Sequence, residues 1–246
     1  MVNFGRLRSI DWSAGACDSR LAGRPAAWHK RVGGEGMPDF AIEDGCSGVV
    51  CGVDEAGRGP LAGPVVAAAV IIDRACFPAE LRDSLDDSKQ LRREMRETCY
   101  AALMRCARIG VGAASVREID RINILRASLL AMSRAVAALG VRPDIALVDG
   151  NMTPPALPCP AKTVVGGDGL SFSIAAASVI AKVTRDRIMH ALARRHPGYA
   201  WESNVGYSTR AHFAAIAEFG VTLHHRRSFE PVRLAAEGPA NFVLDL

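Results

Sequence analysis

Residues 52–64 read GVDEAGRGPLAGP, in which two adjacent acids, Asp54 and Glu55, lead into a glycine-arginine-glycine turn. The apolar runs on either side, 49–53 and 64–72, are short, rich in β-branched residues and bounded by turn residues, so they predict two buried strands. The acids therefore lie at a strand end. Because buried carboxylates are unfavourable unless they are paired or bind a cation, this segment indicates a site for a hard divalent ion.

The same segment allows two other interpretations. A surface turn with two solvated acids fits strand alternation, because neighbouring side chains of a strand point to opposite faces. Gly57 and Gly59 permit the break in the pleat that would bring both acids to one centre. A dinucleotide-binding fingerprint is not favoured, because the chain has a predicted strand with prolines at 60 and 64 where that fingerprint requires a helix.

The composition is that of an ordinary soluble globular protein, with 246 residues, 49% hydrophobic and 23% charged. No stretch reaches the roughly 18 consecutive apolar residues of a membrane span, and the N-terminus lacks the apolar core of a secretory signal, so we expect a cytoplasmic protein. The seven cysteines are scattered without a Cys-x-x-Cys pair, which argues against a disulfide framework and a zinc site. The net charge of +4 permits a polyanionic partner without requiring one.

Residues 1–44 carry several arginines and glycines without an apolar period, and we interpret them as a flexible N-terminal extension. An organelle transit peptide is less favoured, since Asp11 and Asp18 interrupt the basic run. Residues 45–246 are then one domain. We expect it to act as a monomer.

Predicted strands and helices alternate along this domain, which favours an α/β sheet with helices on its faces. Ser88 is a predicted helix N-cap. The other predicted elements are a helical stretch from there to about residue 105, a strand over 109–114, an amphipathic helix over 123–139, a strand ending at Asp149, a short strand over 163–165 and a long helix over 171–195.

Four acids lie at or just beyond the ends of predicted strands: Asp54, Glu55, Asp149 and Asp168. In an α/β sheet, strand ends commonly border the ligand site. Four carboxylates in one place would repel each other unless cations joined them, and two metal ions would stabilise the oxygens of an in-line phosphoryl displacement. The alternative is that Asp149 and Asp168 only form turns, since aspartate is favoured after strands.

Seven ordered motifs between about residues 48 and 232 resemble bacterial ribonuclease HII, the type 2 ribonuclease H. They are 52–60 (GVDEAGRGP), 87–89 (DSK), 149–151 (DGN), 167–168 (GD), 174–186 (IAAASVIAKVTRD), 206–209 (GYST) and 225–229 (HRRSF). The resemblance implies a ribonuclease H-like fold, namely a mixed sheet flanked by helices, with a smaller helical C-terminal portion.

The resemblance also implies an endonuclease that hydrolyses the RNA strand of RNA/DNA hybrids. It implies cleavage on the 5′ side of single ribonucleotides embedded in duplex DNA, by two-metal-ion catalysis that leaves 3′-hydroxyl and 5′-phosphate ends. The four acids are then catalytic, and Asp54, Glu55 and Asp149 are the implied ligands of Mn²⁺ or Mg²⁺. Asp168 either binds the metal or positions the other groups.

The resemblance assigns substrate binding to two further places. Gly57, Arg58 and Gly59 match the turn that reads the 2′-hydroxyl, the group that distinguishes RNA from DNA. Tyr207 matches the tyrosine that packs against the sugar on the 3′ side of the junction, although Ser208 stands where the family usually has glycine or proline.

Lys182 and Arg185 lie three residues apart in the predicted long helix and form a candidate phosphate-binding face. The alternative is a solvated face on which Lys182 pairs with Asp186. The expected structural role of His212, His224 and His225 is hydrogen bonding rather than metal binding.

The expected partners are nucleic acids, namely RNA/DNA hybrids and ribonucleotide-containing duplex DNA, with no membrane. Residues 241–246 form a candidate docking peptide for a replication clamp, although such tails more often pack on their own domain. Two other functions remain open from the residues alone. One is a two-metal nuclease or phosphatase that needs no ribose, and the other is a catalytically silent module that binds hybrids.

Overall fold

The computed structural model describes residues 38–85 and 93–238. The predicted N-cap Ser88, the 87–89 motif and the 241–246 tail lie outside the described residues. In chain order the elements are α1 (Ala41–Asp44), β1 (Val50–Ala56), β2 (Val65–Ile72), α2 (Ala79–Leu85), α3 (Arg93–Cys106), β3 (Ala107–Ala114), α4 (Val116–Ile122), α5 (Ile124–Ala137), β4 (Ile145–Asp149), β5 (Ala161–Val164), a 3₁₀ turn (Gly167–Gly169), α6 (Phe172–Arg195), α7 (Trp201–Asn204), α8 (Arg210–Phe219) and α9 (Glu230–Glu237).

The five strands form one mixed sheet in the order β3-β2-β1-β4-β5. Strands β1, β2 and β3 pair antiparallel, whereas β4 pairs parallel with both β1 and β5. Val53 of β1 is opposite Val148 of β4. Because these two strands run in the same direction, the residues that follow, Asp54 and Asp149, reach the same edge of the sheet. The predicted mixed sheet flanked by helices is therefore confirmed.

Helices cover both faces of this sheet. On one face, α3 and α6 pack on alternate residues of β2 such as Ala68 and Val70. On the other face, α5 packs on Ala67 and Ala69. A strand buried on both sides has no polar face to alternate, which explains why β2 is apolar throughout. Helix α6 approaches β1 closely at Gly52, where an added Cβ would lie 2.1 Å from the backbone of Ser173.

The long predicted helix is confirmed as α6, and Ser171 caps it by accepting a hydrogen bond from the Ile174 amide. The amphipathic prediction is confirmed as α5, which is capped by Asn123. Sequence reasoning missed the short helix α4, although its capping box of Ser115 and Glu118 is a recognisable signal.

Residues 38–44, which the sequence analysis assigned to the N-terminal extension, belong to the packed domain. The Phe40 ring lies 5.6 Å from that of Phe77 and 4.9 Å from that of Phe172. The buried Glu43 carboxylate accepts hydrogen bonds from the Ser173 amide and hydroxyl at 2.9 and 2.7 Å. A carboxylate at a helix N-terminus stabilises the helix dipole, so this segment anchors the start of α6.

The predicted helical C-terminal portion is present as α7, α8 and α9. These helices surround a third apolar cluster, in which Trp201 is fully buried and Leu61 contributes from the segment after β1. The C-terminal portion therefore packs on the chain segment that follows the two adjacent acids. No helix within residues 38–85 or 93–238 is long and apolar enough to cross a membrane.

Candidate active site

The four predicted acids lie around the edge at which β1 and β4 end together, and we call them the acidic cluster. Asp54 and Asp168 are buried, whereas Glu55 and Asp149 are half-buried. The Gly167 amide donates a 2.7 Å hydrogen bond to Oδ1 of Asp149. This bond ties the end of β4 to the 3₁₀ turn that carries Asp168, so the third and fourth acids are held beside each other.

The electrostatics of the cluster indicate mutual repulsion. Burial raises the pKa of Asp54 well above its ordinary value, and the charges of the other three acids raise this pKa further. Burial also raises the pKa of Glu55, Asp149 adds to the effect, and the Arg58 guanidinium lowers it. A cation bound among these oxygens would relieve both the repulsion and the burial cost.

The donor set of the cluster fits a hard divalent cation, because carboxylate oxygens are the ligands that Mg²⁺ and Mn²⁺ prefer. Within the part of the chain that the structure describes, no three of these side chains already surround a common point. Two of them make local bonds instead. Asp54 Oδ1 accepts a 2.6 Å hydrogen bond from the Glu55 amide, and Glu55 Oε1 lies 3.3 Å from Arg58 Nη1.

Residues 57–59, which we call the 57–59 turn, are separated from the first two acids only by Ala56. Gly57 has a φ of +96°, which an L side chain rarely adopts, and an added Cβ would lie 2.0 Å from Arg185 Nε. Arg58 is exposed and Gly57 is buried. A Cβ added to Gly59 would lie 3.7 Å from Cε1 of Tyr207, so the turn faces the tyrosine ring.

Residues 204–208, the tyrosine loop, place the half-exposed Tyr207 ring beside the turn. The loop is strained at Val205, a β-branched residue with a φ of 42° and a ψ of 33°. Asn204 fixes it from both sides by donating to the Tyr199 carbonyl and accepting from the Gly206 amide at 2.9 and 2.8 Å. Strain of this kind persists only where the surroundings enforce it.

The two residues predicted on the phosphate-binding face of α6 differ in their surroundings. Lys182 Nζ bonds Asp186 Oδ1 at 2.8 Å, as the alternative interpretation expects, and lies 5.8 Å from the centre of the Tyr207 ring. Arg185 requires a correction. Its side chain is fully buried and donates to the carbonyls of Ala62, Pro64 and Val205, so it does not present a surface to phosphate.

Sequence reasoning missed Arg226, a second fully buried arginine. It donates to the carbonyl oxygens of Gly57 at 2.6 Å, Arg58 at 2.9 Å and Gly63 at 2.9 Å. The 225–229 motif contains both Arg226 and the exposed Arg227, and nothing in their spacing indicates which of the two is buried.

The histidines of the C-terminal portion form a neutral hydrogen-bond network. His212 Nδ1 lies 2.8 Å from the Tyr207 carbonyl, and its Nε2 accepts from Trp201 Nε1 at 3.0 Å and lies 3.1 Å from His225 Nε2. The His225 Nδ1 accepts from the Thr222 amide at 3.0 Å. Neutral tautomers satisfy these bonds, with His212 protonated at Nδ1 and His225 at Nε2. Both therefore have the hydrogen-bonding role that the sequence analysis expected.

Comparison with known proteins adds a family to this geometry. The family model for ribonuclease HII matches residues 51–232. The ribonuclease HII of Paramagnetospirillum magneticum is 59% identical over 196 residues, which cover 80% of this chain and 97% of the relative.

Among solved structures, the PCNA:RNase HII complex from Archaeoglobus fulgidus matches with a TM-score of 0.60 and 25% identity, covering 74% of this chain and 95% of that one. Bst-RNase HIII in complex with Mn²⁺ shares the fold, with a TM-score of 0.62 and 20% identity over 77% of this chain and 69% of that one. The chain therefore belongs to the ribonuclease HII family and is a nuclease of the ribonuclease H type.

Proposed function

We propose that the protein hydrolyses the RNA strand of RNA/DNA hybrids and cuts on the 5′ side of single ribonucleotides embedded in duplex DNA. We further propose two-metal-ion catalysis that leaves 3′-hydroxyl and 5′-phosphate ends. One observation carries the proposal: the first two acids of the cluster are separated only by Ala56 from the 57–59 turn, where an added Gly59 Cβ would lie 3.7 Å from the Tyr207 ring. A site for the cations that would bind the scissile phosphate and a turn that can contact a ribose are thus adjacent.

The acidic cluster supplies the cation site in this proposal. Asp54, Glu55 and Asp149 would hold Mg²⁺ or Mn²⁺, with Asp168 beside them. The chemistry that two such ions would supply there is activation of a water molecule and stabilisation of the attacking and leaving oxygens. The chain itself provides a partly buried set of like charges that repel one another until cations bind, which favours divalent occupancy.

Recognition of the ribonucleotide is assigned to the turn and the tyrosine loop. The peptide groups of Gly57, Arg58 and Gly59 read the 2′-hydroxyl, which is both a donor and an acceptor. Tyr207 packs against the next sugar on the 3′ side, and Lys182, beside that ring, contacts a phosphate. In this mechanism the 2′-hydroxyl identifies the substrate and is not the nucleophile.

The test is cleavage of an end-labelled DNA duplex that contains one ribonucleotide, with the all-DNA duplex as its control, in Mg²⁺, in Mn²⁺ and in EDTA. We expect a cut on the 5′ side of the ribonucleotide that requires a divalent cation. Cleavage of both duplexes would favour a nuclease that needs no ribose. Tight binding without cleavage would favour a silent hybrid-binding module.

A clamp contact is a second, separate proposal. The Archaeoglobus fulgidus relative was solved in a complex with PCNA. The candidate docking peptide of this chain, residues 241–246, lies outside the described residues. Removal of these six residues is expected to abolish co-elution with a replication clamp while it leaves cleavage unchanged.

A further inference from the structure

The 57–59 turn and the tyrosine loop are both held from inside the protein by two buried cations, Arg185 and Arg226, which we call the arginine pair. Each nitrogen of both guanidinium groups donates to a backbone carbonyl, at 2.6 to 3.1 Å. No ion pair of either arginine occurs among the described residues. Burying a charge without a counter-ion is costly, so the carbonyl dipoles take the place of a carboxylate.

Both members of the pair remain charged near neutral pH. Burial lowers the pKa of Arg185 to about 10 and that of Arg226 to about 9, and the charge of Arg185 contributes to the second shift. Both values lie above 7. Each carbonyl bond is therefore assisted by a full charge, which makes it stronger than a bond between neutral groups.

Arg226 controls the orientation of the turn. In a planar trans peptide, the carbonyl of one residue and the amide N–H of the next point in opposite directions. Arg226 binds the carbonyls of Gly57 and Arg58, so the amide N–H groups of Arg58 and Gly59 point away from the buried guanidinium. Residues 58 and 59 are the exposed part of the turn. Two successive donors are thus directed outward by one buried side chain.

Arg185 connects the turn segment to the tyrosine loop. It donates to Ala62 and Pro64 on one side and to the carbonyl of the strained Val205 on the other. Its guanidinium carbon also lies 5.9 Å from the centre of the Tyr207 ring, within the range of a cation–π contact. The backbone adds a parallel link, because the Leu61 amide donates to the Gly206 carbonyl at 2.8 Å.

From this geometry we propose that Arg185 and Arg226 are positioning residues for ribonucleotide recognition. Arg226 aims the two turn amides at the bound ribose, and Arg185 fixes the distance between that ribose and the sugar that contacts Tyr207. The inference rests on the proposed function, since it concerns how the same site recognises its substrate. It reassigns Arg185 from phosphate contact to alignment.

The test compares Arg226→Met and Arg185→Met with Arg227→Met and Arg187→Met. Arg227 and Arg187 are exposed neighbours of the pair, the latter bonded to Glu97 on the far side of α6. Rates are measured on a duplex with one ribonucleotide and on a continuous RNA/DNA hybrid. Mn²⁺ binding, duplex affinity in EDTA and the unfolding midpoint are measured for each variant.

Misalignment by about 1 Å lowers kcat by up to about a hundredfold, so we expect a loss of roughly tenfold to a hundredfold for the buried variants. Duplex affinity should change less than about twofold, because phosphate contacts dominate affinity. The ratio of kcat/KM on the single ribonucleotide to that on the hybrid should fall about fivefold or more, since the tyrosine loop is released. The two exposed variants should match the parent protein.

The inference would be overturned if Arg226→Met and Arg185→Met fold, keep the parental kcat and leave the ratio of kcat/KM on the two substrates unchanged. It would also be overturned by an equal loss on both substrates accompanied by weaker Mn²⁺ binding, which indicates a general structural role. If the methionine variants do not fold, Arg226→Lys and Arg185→Lys retain the charge but reach fewer carbonyls, and their kcat should be intermediate. A parental kcat in a folded lysine variant would also overturn it. A parent protein that does not cleave the ribonucleotide duplex would instead refute the proposed function.

Discussion

At the acidic cluster, four carboxylates share one edge of the sheet, and burial together with their mutual repulsion raises the pKa of Asp54. Beneath the 57–59 turn, Arg185 and Arg226 are fully buried, and each donates to three carbonyls. Like charges are thus gathered in the acidic cluster, whereas the protein itself provides an acceptor for every guanidinium nitrogen of the arginine pair. Under the proposed function, the acidic cluster is the catalytic half of the site and needs cations that can enter, whereas the 57–59 turn and the tyrosine loop are the recognition half and need a fixed geometry.

This difference predicts opposite responses to substitution. Removing a charge from the acidic cluster should relieve repulsion and stabilise the fold while it destroys activity. Changing the 57–59 turn or the arginine pair that holds it should lower stability and activity together. A residue that only borders the space for the substrate should affect activity alone.

Asp54→Asn should have the largest effect on activity. If Asp54 holds a cation as proposed, its loss removes several kcal/mol of transition-state stabilisation, so cleavage should fall by at least about a hundredfold. Without metal, the variant should unfold at a higher denaturant concentration than the parent, since an amide does not carry the buried charge.

Cleavage assays and urea unfolding in EDTA measure the two effects. Asp44→Asn, an exposed acid paired with Arg74, is the control and should leave cleavage unchanged. A less stable Asp54→Asn would contradict the comparison.

Gly57→Ala should have the next largest effect, which is a decrease in the free energy of unfolding. The positive φ costs about 1–3 kcal/mol in a residue with a side chain, and the overlap with Arg185 adds about 1–3 kcal/mol. We therefore expect a loss of about 2–5 kcal/mol in the free energy of unfolding. Chemical denaturation measures it, and a variant as stable as the parent would show that the turn is not held rigidly.

Gly59→Ala is the matched control for this glycine. An added Cβ there meets only the Tyr207 ring, at an ordinary contact distance of 3.7 Å. Stability should change by less than about 0.5 kcal/mol. Cleavage at a ribonucleotide should still fall, because the methyl group occupies space between the turn and the ring. Equal stability losses in Gly57→Ala and Gly59→Ala would show that the two glycines do not differ in role, one packing on Arg185 and the other only bordering the Tyr207 ring.

The sequence allowed the acids, both strands around them and the two long helices to be predicted, because these depend on local patterns. The parallel pairing of β1 with β4 joins residues 95 apart, Val50 and Ile145, and no local pattern carries it. Periodicity also misassigned Arg185. A three-residue spacing places it on the same helical face as Lys182, but only the folded turn supplies the carbonyls that make its burial possible.

Acidification should change the free energy of unfolding in opposite directions through His225 and through Asp54. Burial, followed by the charges of His212, His224 and His196, lowers the pKa of His225 to about 3. Below the ordinary value of 6.5, the unfolded chain therefore binds a proton that the folded chain does not bind until pH 3. Stability contributed by His225 is present above pH 6.5 and is lost as the pH falls, by about 2 kcal/mol between pH 6.5 and 5. Asp54 has the opposite sign, since its raised pKa means that protonation favours the fold.

Unfolding free energies between pH 7.5 and 5 test this prediction in EDTA. His225→Gln should lose the acid-induced destabilisation and show a shallower pH dependence than the parent. Asp54→Asn should lose the opposing gain and show a steeper one. Identical pH slopes for the parent and both variants would mean that neither group is coupled to folding in the way its surroundings indicate.

Lys182→Met should have the smallest effect, because Lys182 lies at the surface of the recognition half and its ion pair with Asp186 is partly exposed. Such pairs contribute at most about 1 kcal/mol, so stability should scarcely change. If Lys182 contacts a phosphate, binding weakens equally on all sequences, and the slope of log affinity against log salt decreases by about one. Asp186→Asn releases the lysine from its partner and should leave that slope at its parental value or raise it. A Lys182→Met variant with the parental slope would show that Lys182 contacts only Asp186 and no phosphate. The substrate would then be contacted by the 57–59 turn and Tyr207 without Lys182.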